Sequence, residues 1–440
     1  MTSSSVLTPD FKTTSYWLDG LTTPPQLASA PSASVDVAIV GSGYTGLHAA
    51  IETARGGRST LVLEANSPGW GCSTRNGGQI GTSVKPSLEK LAAKYGIEQA
   101  HAIRREGETA LDWIEEFVAS EEIDCDFCRS GRFHAAHTPK HYEELARSAD
   151  VMTRTEGVDV QVVPRAEQRS ELGSDRYFGG VVFPRHASLN PAKYHRGLLD
   201  LSLSAGVHVV DHCAVTRITR DGNGFRLATQ KGEVHARDVI VATNGYTSRV
   251  TPWLQRRVIP IGSYMIATEP LPKNLIEELF PTDRVVSDTC KVIYYYRTSP
   301  DGRRVLFGGR VSANETDAAV SGPRLFNDMC RIFPQLAPYS VTHSWMGQVA
   351  YTFDELAHTG THEGVYYAMG YCGSGVSMAS YLGKRTGQKI LGLAEGKTAF
   401  DALRNPTRPF YTGKPWFLPA AVAWYRRRDR IETQRATACR

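Results

Sequence analysis

Three glycines, Gly41, Gly43 and Gly46, stand in G-x-G-x-x-G spacing in the run Gly41-Ser42-Gly43-Tyr44-Thr45-Gly46, and an acid, Glu64, follows at the distance of one helix and one strand. The chemistry they suit is the binding of a pyrophosphate. Glycines allow a tight turn and bring phosphates close to the amides at a helix N-terminus, while an acid ending the next strand accepts hydrogen bonds from a ribose. The spacing alone is a weak signal, and context makes it specific. A β-branched run, Val35, Val37, Ile39 and Val40, ends at Gly41, an alanine-rich helix is expected over Leu47 to Ala54, and a buried strand over Thr60 to Leu63. A second glycine loop, Gly370 to Val376, follows a strand and precedes a helix, so another helix N-terminus faces the ligand. A third small-residue turn, Ala242-Thr243-Asn244-Gly245, ends the strand Val239–Val241. Cys125 and Cys128 have C-x-x-C spacing but neither a second pair nor a nearby His couple, so they are expected as incidental thiols and no metal is expected. Ser-His-Asp order, H-E-x-x-H and a Walker loop are not evident.

The elements that position these loops must come from a chain of 440 residues, 41% hydrophobic and 22% charged, with 40 Gly. That length suits two domains and a large core, and the composition excludes disorder, collagen and a disulfide scaffold. A net charge of +5 is too mild to argue for nucleic acid and is compatible with an acidic or zwitterionic small molecule. The 8 cysteines are expected as free thiols in a cytoplasmic protein, since Met1 to Asp10 lacks a secretory pattern. No transmembrane segment is expected, because the longest uncharged stretch, Gly364 to Gly383, is rich in Gly, Ser and Tyr. Residues 21–34 are a Pro/Ser/Ala-rich lead-in after which the first fold element should begin. Helices are expected between Leu91 and Gly157, for example Gln99 to Ser120, with a short strand near Ile123 to Phe127. Strands are expected at Val207–Val210, Ala214–Thr219, Phe225–Ala228, Ser263–Thr268, Lys291–Arg297 and Val305–Gly309.

The ordered set GSGYTG with Glu64, GWGCSTRNGGQ (69–79), NPAKY (190–194), ATNGYTS (242–248), GSYMIATEP (262–270) and GYCGSGV (370–376) resembles the FAD-dependent oxidoreductases of the D-amino-acid oxidase type. Within that group it looks most like the gamma-glutamylputrescine oxidoreductase branch, including the tail RPFYTGKPWFLPAAVAWYR (408–426). The resemblance implies an α/β fold: a Rossmann-like FAD domain of the glutathione-reductase type, interleaved with an α+β substrate domain carrying a mixed antiparallel sheet. It implies FAD segments near 35–95, 180–250 and 350–395, substrate segments 96–179 and 251–349, and a C-terminal extension 396–440. Carried over by position, Gly41, Gly43, Tyr44, Thr45, Gly46, Glu64 and Ala65 hold the ADP part. Cys72, Ser73, Thr74, Arg75, Asn76, Gly77, Gly78 and Gln79 match the loop at the pyrophosphate and flavin edge. Val215, Thr243, Asn244 and Gly245 match further contacts, and Gly373, Ser374, Gly375 and Val376 the segment facing the flavin pyrimidine. Relatives that bond FAD covalently use a Cys or His at places that look like Gly347 and Asn76 here, so noncovalent FAD is expected. Relatives that activate oxygen with a Lys over the flavin have it where Leu306 stands, with no Lys nearby, which leaves oxygen or another electron acceptor open.

The implied reaction oxidises the C–N bond of a primary or secondary amine, a gamma-glutamylputrescine-like amine or an amino acid, by hydride transfer to flavin N5. The imine then hydrolyses to an aldehyde or oxo acid. Cyclic or N-methylated amino acids and aminophosphonates are rival substrates; an FAD-binding subunit without turnover is the rival of another class. Such chemistry needs an oriented C–H bond in a dry, aromatic-walled site. Tyr264, Tyr296 and Trp345 are the catalytic candidates, although alternate residues of the strand Tyr294-Tyr295-Tyr296 must face a core. Arg297 could grip a carboxylate or phosphonate, or sit exposed at a strand end. His343 and His358 could tune an amine's protonation, or be satisfied core or surface histidines. The run Trp424 to Arg428 reads as a docking helix with a solvated side rather than a membrane contact.

Overall fold

A computed structural model of the chain describes residues 6–21, 25–82, 84–310 and 315–438. The expected Val35–Val40 and Thr60–Leu63 runs form adjacent parallel strands, Ser34–Val40 and Thr60–Leu63, buried on both faces. His208–Val210 extends them on one side, and on the other lie Gly232–Val241 and then Val365–Met369, all parallel. The hairpin Val215–Asp221 and Gly224–Thr229 adds to the first half of Gly232–Val241, completing an 8-stranded sheet with His358–His362. Two helices cross on this sheet, Tyr44–Arg55 and Gly375–Ile390. A Cβ on Gly383 would stand 2.4 Å from the Thr45 carbonyl oxygen, so only glycine permits that approach.

The second sheet has nine strands and carries the other half of the molecule. Its middle is Val341–Tyr351, Ile259–Thr268, Val305–Gly309 and Tyr295–Thr298, followed by Val285–Asp288, Arg132–Ala135, Gly180–Phe183 and Gln161–Val163. The helix Ala318–Ile332 packs its apolar side on one face. The fold is thus the mixed α/β architecture expected.

Several expectations need correction. The first strand is Leu7–Lys12, ahead of the lead-in, and it pairs parallel to Val341–Tyr351 at the sheet edge; Thr22, Thr23 and Pro24 of the lead-in lie outside the described residues. No strand forms over 123–127, because Ile123 and Cys125 are apolar for a different reason: they pack in the core beneath the parallel sheet. The helix Ile97–Ser120 buries Ala100, Ile103, Leu111 and Ile114 in that same core, while Gly180–Phe183 belongs to the nine-stranded sheet. The expected boundaries at 96 and 180 therefore each divide an element from the sheet it packs with. The extension ends in a helix, Leu418–Ala438, docked through Asp429, which accepts the Lys291 and Val292 amides at 3.0 and 2.9 Å. The seven described cysteines are free, and Cys439 lies outside the described residues. Among the described residues no helix is long and apolar enough to cross a membrane.

Burial makes the first helix acid-sensitive. His48 lies inside the core with Nε2 2.8 Å from the Tyr194 hydroxyl, and burial pushes its pKa down to about 3. The unfolded chain takes up that proton near the usual pKa of about 6.5. Stability conferred by neutral His48 is therefore lost as pH falls below about 6.5, at a slope of about 1.4 kcal/mol per unit. Urea unfolding of His48→Gln between about pH 6 and 4 should show a flatter pH dependence by about that slope.

Candidate cofactor and substrate site

The dinucleotide turn forms as its sequence requires. Gly41 has φ of +103°, its amide donates to the Leu63 carbonyl at 2.9 Å, and a Cβ on it would meet the Ala242 carbonyl at 3.2 Å. A Cβ on Gly46 would stand 1.9 Å from the Gly41 carbonyl oxygen, so the helix approaches the turn this closely only because Gly46 lacks a side chain. The helix begins at Tyr44, three residues ahead of the expected Leu47, and its N-cap Gly43 offers no side chain to the first-turn amides. Glu64 braces the turn: one carboxylate oxygen accepts Ser42 N–H at 2.9 Å and Ser42 O–H at 2.7 Å, the other Asn66 N–H at 3.0 Å. Ala65 is exposed beside it. Val215 is half-buried in the neighbouring hairpin, and the nearby Cys213 amide donates to the Glu64 carbonyl at 2.8 Å.

The loop 72–79 lies against this turn. Tyr44 N–H donates to Ser73 Oγ at 3.2 Å, and Asn76 spans the loop, donating to the Cys72 and Ser73 carbonyls while accepting Gly78 N–H at 2.8 Å. Arg75 donates to the Trp70 and Met346 carbonyls, and Thr74 to Gly69. Three side chains hold the loop's carbonyls from outside. Ser15 donates to Thr74, Trp17 to Asn76 and Trp345 to Arg75, at 2.9, 2.8 and 2.8 Å. Gln79 reaches across to the Val286 and Tyr296 carbonyls. Arg297 is a fourth clamp, not the exposed strand end or carboxylate grip expected: it is buried, donating to Leu189 and Gly78 carbonyls.

The two later turns converge on the same place. Gly370 N–H donates to Asn244 Oδ1 at 2.9 Å, Thr243 Oγ1 lies 2.8 Å from Thr247 Oγ1, and a Cβ on Gly245 would meet the Gln348 carbonyl at 3.0 Å. Thr45 Oγ1 lies 2.6 Å from the Tyr371 hydroxyl, tying the first helix to the loop Gly373, Ser374, Gly375 and Val376. Lys85 approaches this loop, its ammonium 4.0 Å from where a Gly373 Cβ would be and 5.0 Å over the Tyr351 ring. Burial opposes its charge, but the Tyr351 hydroxyl and neighbouring acids outweigh it and raise its pKa. Leu306, the position where relatives carry the Lys, is buried in the sheet face, and Lys85, which the sequence reading did not name, approaches the glycine loop from a separate segment.

Register sorts the aromatic candidates. Val181, His134, Ser287, Tyr295, Gly308, Met265 and Trp345 stand side by side across seven strands. One residue along each strand, Val182, Phe133, Val286, Tyr296, Phe307 and Ile266 form the opposite face and share one apolar core with the helix Ala318–Ile332. Tyr295 faces the loops, with its ring 3.0 Å from where a Gly77 Cβ would stand and its hydroxyl 2.9 Å from Ser263 Oγ. Tyr296 and Tyr264 are corrected: both are fully buried on the opposite face, Tyr296 donating to the Tyr177 hydroxyl and Tyr264 accepting Thr316 N–H. The period-two side-chain alternation fixes this. Trp345 faces the loops but is fully buried, its one donor used on Arg75. His343 is a satisfied histidine, with Nε2 3.0 Å from Asp19 and Nδ1 2.9 Å from Thr342 Oγ1, whereas His358 lies 2.9 Å from Asp354 through Nε2 and keeps a buried Nδ1 without a hydrogen bond.

The loop-facing side carries a group of basic residues that the sequence reading missed, of which only Arg132 is charged near neutral pH. Arg132 and His134 alternate with the buried Phe133 and Ala135, so both face the same side as Tyr295. Nε of Arg132 is buried with no hydrogen bond, no carboxylate pairs with its guanidinium among the described residues, and burial alone pushes its pKa down to about 10. His134 lies 2.9 Å from Ser287 Oγ, and burial, then Arg132, then more distantly Lys85, push its pKa down to about 4. His186, stacked on Phe183, is held neutral by burial and then by Arg132 and His134.

Residues 36–389 match the family described as FAD dependent oxidoreductase, DAO. The chain belongs to that family. FAD is its cofactor, and the protein is an oxidoreductase of the amine and amino-acid class. The gamma-glutamylputrescine oxidoreductase of Escherichia coli K12 is 31% identical over 91% of this chain and 94% of that protein. A probable oxidoreductase OrdL of Rhizobium meliloti is 31% identical over 91% and 93%. Glycine oxidase from Geobacillus kaustophilus shares the fold, with TM-score 0.71 at 19% identity over 86% of this flavoenzyme and 99% of that chain. The glycine cradle fits FAD: Gly43 leaves the helix N-terminus open, and Gly41 and Gly46 allow a close backbone turn.

Proposed function

We propose that this flavoenzyme oxidises the C–N bond of a primary or secondary amine that carries an anionic group, as gamma-glutamylputrescine and amino acids do. The observation that carries the reading is Arg132, a half-buried guanidinium that no carboxylate pairs among the described residues, on the sheet face turned toward the glycine loops. A desolvated charge left unpaired is costly, and a ligand carboxylate or phosphonate removes that cost with a two-pronged hydrogen bond. FAD, when bound, supplies the two-electron acceptor for a hydride from the carbon next to nitrogen. The first helix and Glu64 would hold its ADP part, loop 72–79 its middle, and Gly373 to Val376 its ring. Arg132 orients the substrate through its anion, and Tyr295, Ser263 and Met265 form the wall beside it. The positive field of Arg132 and Lys85 also disfavours an ammonium, so the substrate nitrogen enters neutral with its lone pair free.

The FAD is held noncovalently in this reading. Asn76 is consumed by the loop, and burial pushes the Cys372 thiol up to about 11, away from the reactive thiolate. Trp17 supports the loop without touching substrate. Trp17→Phe keeps the ring but leaves the Asn76 carbonyl without its donor, a loss of about 1–3 kcal/mol. FAD affinity, measured by flavin fluorescence during apoprotein titration, should weaken by about tenfold.

The function is tested by anaerobic mixing of the holoenzyme with gamma-glutamylputrescine, N-methylated and cyclic amino acids, an aminophosphonate, and putrescine. Flavin bleaching by an anionic amine, but not by putrescine, is expected. Bleaching by none of them favours a subunit without turnover. Peroxide released on readmitting air distinguishes an oxidase from a dehydrogenase.

A further inference from the structure

Outside the cofactor and substrate loops, two histidines and a glutamate from distant parts of the chain meet. His137 precedes the helix Pro139–Glu156, His141 lies one turn into it, and Glu432 is on the C-terminal helix. Their candidate ligand atoms lie within 4.8 Å of one another. Each imidazole is oriented by a threonine hydroxyl at Nδ1, His137 by Thr289 and His141 by Thr138, both at 2.7 Å. A Thr hydroxyl that accepts Nδ1–H leaves the Nε2 lone pair available, which is how metal-binding histidines are set up by their outer partners. Nε2 of His137 is buried with no hydrogen bond, and one Glu432 carboxylate oxygen stands 3.5 Å away. The other Glu432 oxygen accepts from Arg428 at 2.7 Å, which fixes the carboxylate's orientation.

We propose that His137, His141 and Glu432 bind a divalent transition-metal ion such as zinc, which clips the C-terminal helix to the substrate half of the enzyme. Two imidazoles and one carboxylate are a zinc donor set, with bonds of about 2.0–2.2 Å and water as the fourth ligand. Tetrahedral ligands on such bonds are roughly 3.3–3.5 Å apart. The His137–Glu432 separation of 3.5 Å already meets this, and closing the remaining gaps takes at most about an ångström of side-chain movement. The clip adds to the Asp429 contact with the amides of Lys291 and Val292, the segment leading into Tyr295.

The test uses the FAD-loaded full chain, stripped with chelator and titrated with Zn²⁺, then with Co²⁺, beside Glu432→Gln and His141→Ala. Both replaced residues are partly exposed, and unchanged flavin content of the stripped variants checks that they fold. The wild type should hold one more equivalent of zinc than either variant, gain several degrees in Tm with zinc, and show tetrahedral Co²⁺ d–d bands without thiolate charge transfer. Both variants should bind zinc at least tenfold more weakly and lose the Tm gain. Equal zinc uptake and equal Tm response in all three proteins would overturn the proposal, as would Co²⁺ bands of thiolate type.

Discussion

Replacing Arg132 by methionine is expected to raise the KM for an anionic amine by about 30-fold or more, because removing one partner of a buried charged hydrogen bond costs about 2–5 kcal/mol. The limiting rate of flavin reduction should change by less than about threefold, since the guanidinium holds substrate and transition state alike. An amine without an anion should reduce the flavin of the variant no more slowly than that of the wild type. Stability should not fall, as no carboxylate among the described residues pairs with this guanidinium and methionine is close to it in length. Stopped-flow reduction under anaerobic conditions separates the two constants. Equal losses with anionic and uncharged amines would remove Arg132 from substrate recognition.

The second large effect concerns Gly46. A methyl group there would lie 1.9 Å from the Gly41 carbonyl oxygen, a backbone atom that moves only if the whole turn moves. Overpacking of this kind costs about 1–3 kcal/mol or more, and here it also displaces the amides that face the pyrophosphate. Gly46→Ala should purify with at least about a tenfold lower FAD content. Gly43→Ala is the comparison that spares the protein's own packing, because its Cβ would meet only the Ser73 hydroxyl, at 3.0 Å, which can rotate away, so it should keep its fold while the added methyl crowds the open helix N-terminus. Circular dichroism of both proteins distinguishes lost flavin from lost fold. Full FAD occupancy in Gly46→Ala would mean that the turn is not the cofactor cradle.

The cofactor half of the molecule was legible in the chain because its signals are local. A β-branched strand, three spaced glycines and an alanine-rich helix lie within about two dozen residues, and each restricts its neighbours. The substrate half depends on strand parity and on pairing between distant segments. Three consecutive tyrosines announce a strand but not which of them faces the loops; that is decided by Tyr295 pairing with Gly308 and Ser287. The strand Leu7–Lys12 was hidden because only Leu7 and Phe11 are strand-favouring apolar residues, Pro9 interrupts them, and its partner is more than three hundred residues away. Arg132-Phe133-His134-Ala135 did carry an alternating signal, yet four residues are too few to separate from chance. His137 and His141 are one helical turn apart in the sequence, but nothing near them points to Glu432.

The measurement that bears most directly on the central claim compares an amine substrate with its own carboxylate methyl ester, which differs from it in charge and little else. Anaerobic flavin bleaching by the two in wild-type enzyme gives their dissociation constants and limiting rates. If the Arg132 cluster recognises the anion, the ester should bind at least about 30-fold more weakly and reduce the flavin at a similar limiting rate. Equal binding of acid and ester would contradict the assignment of this sheet face as an anion-recognising substrate site.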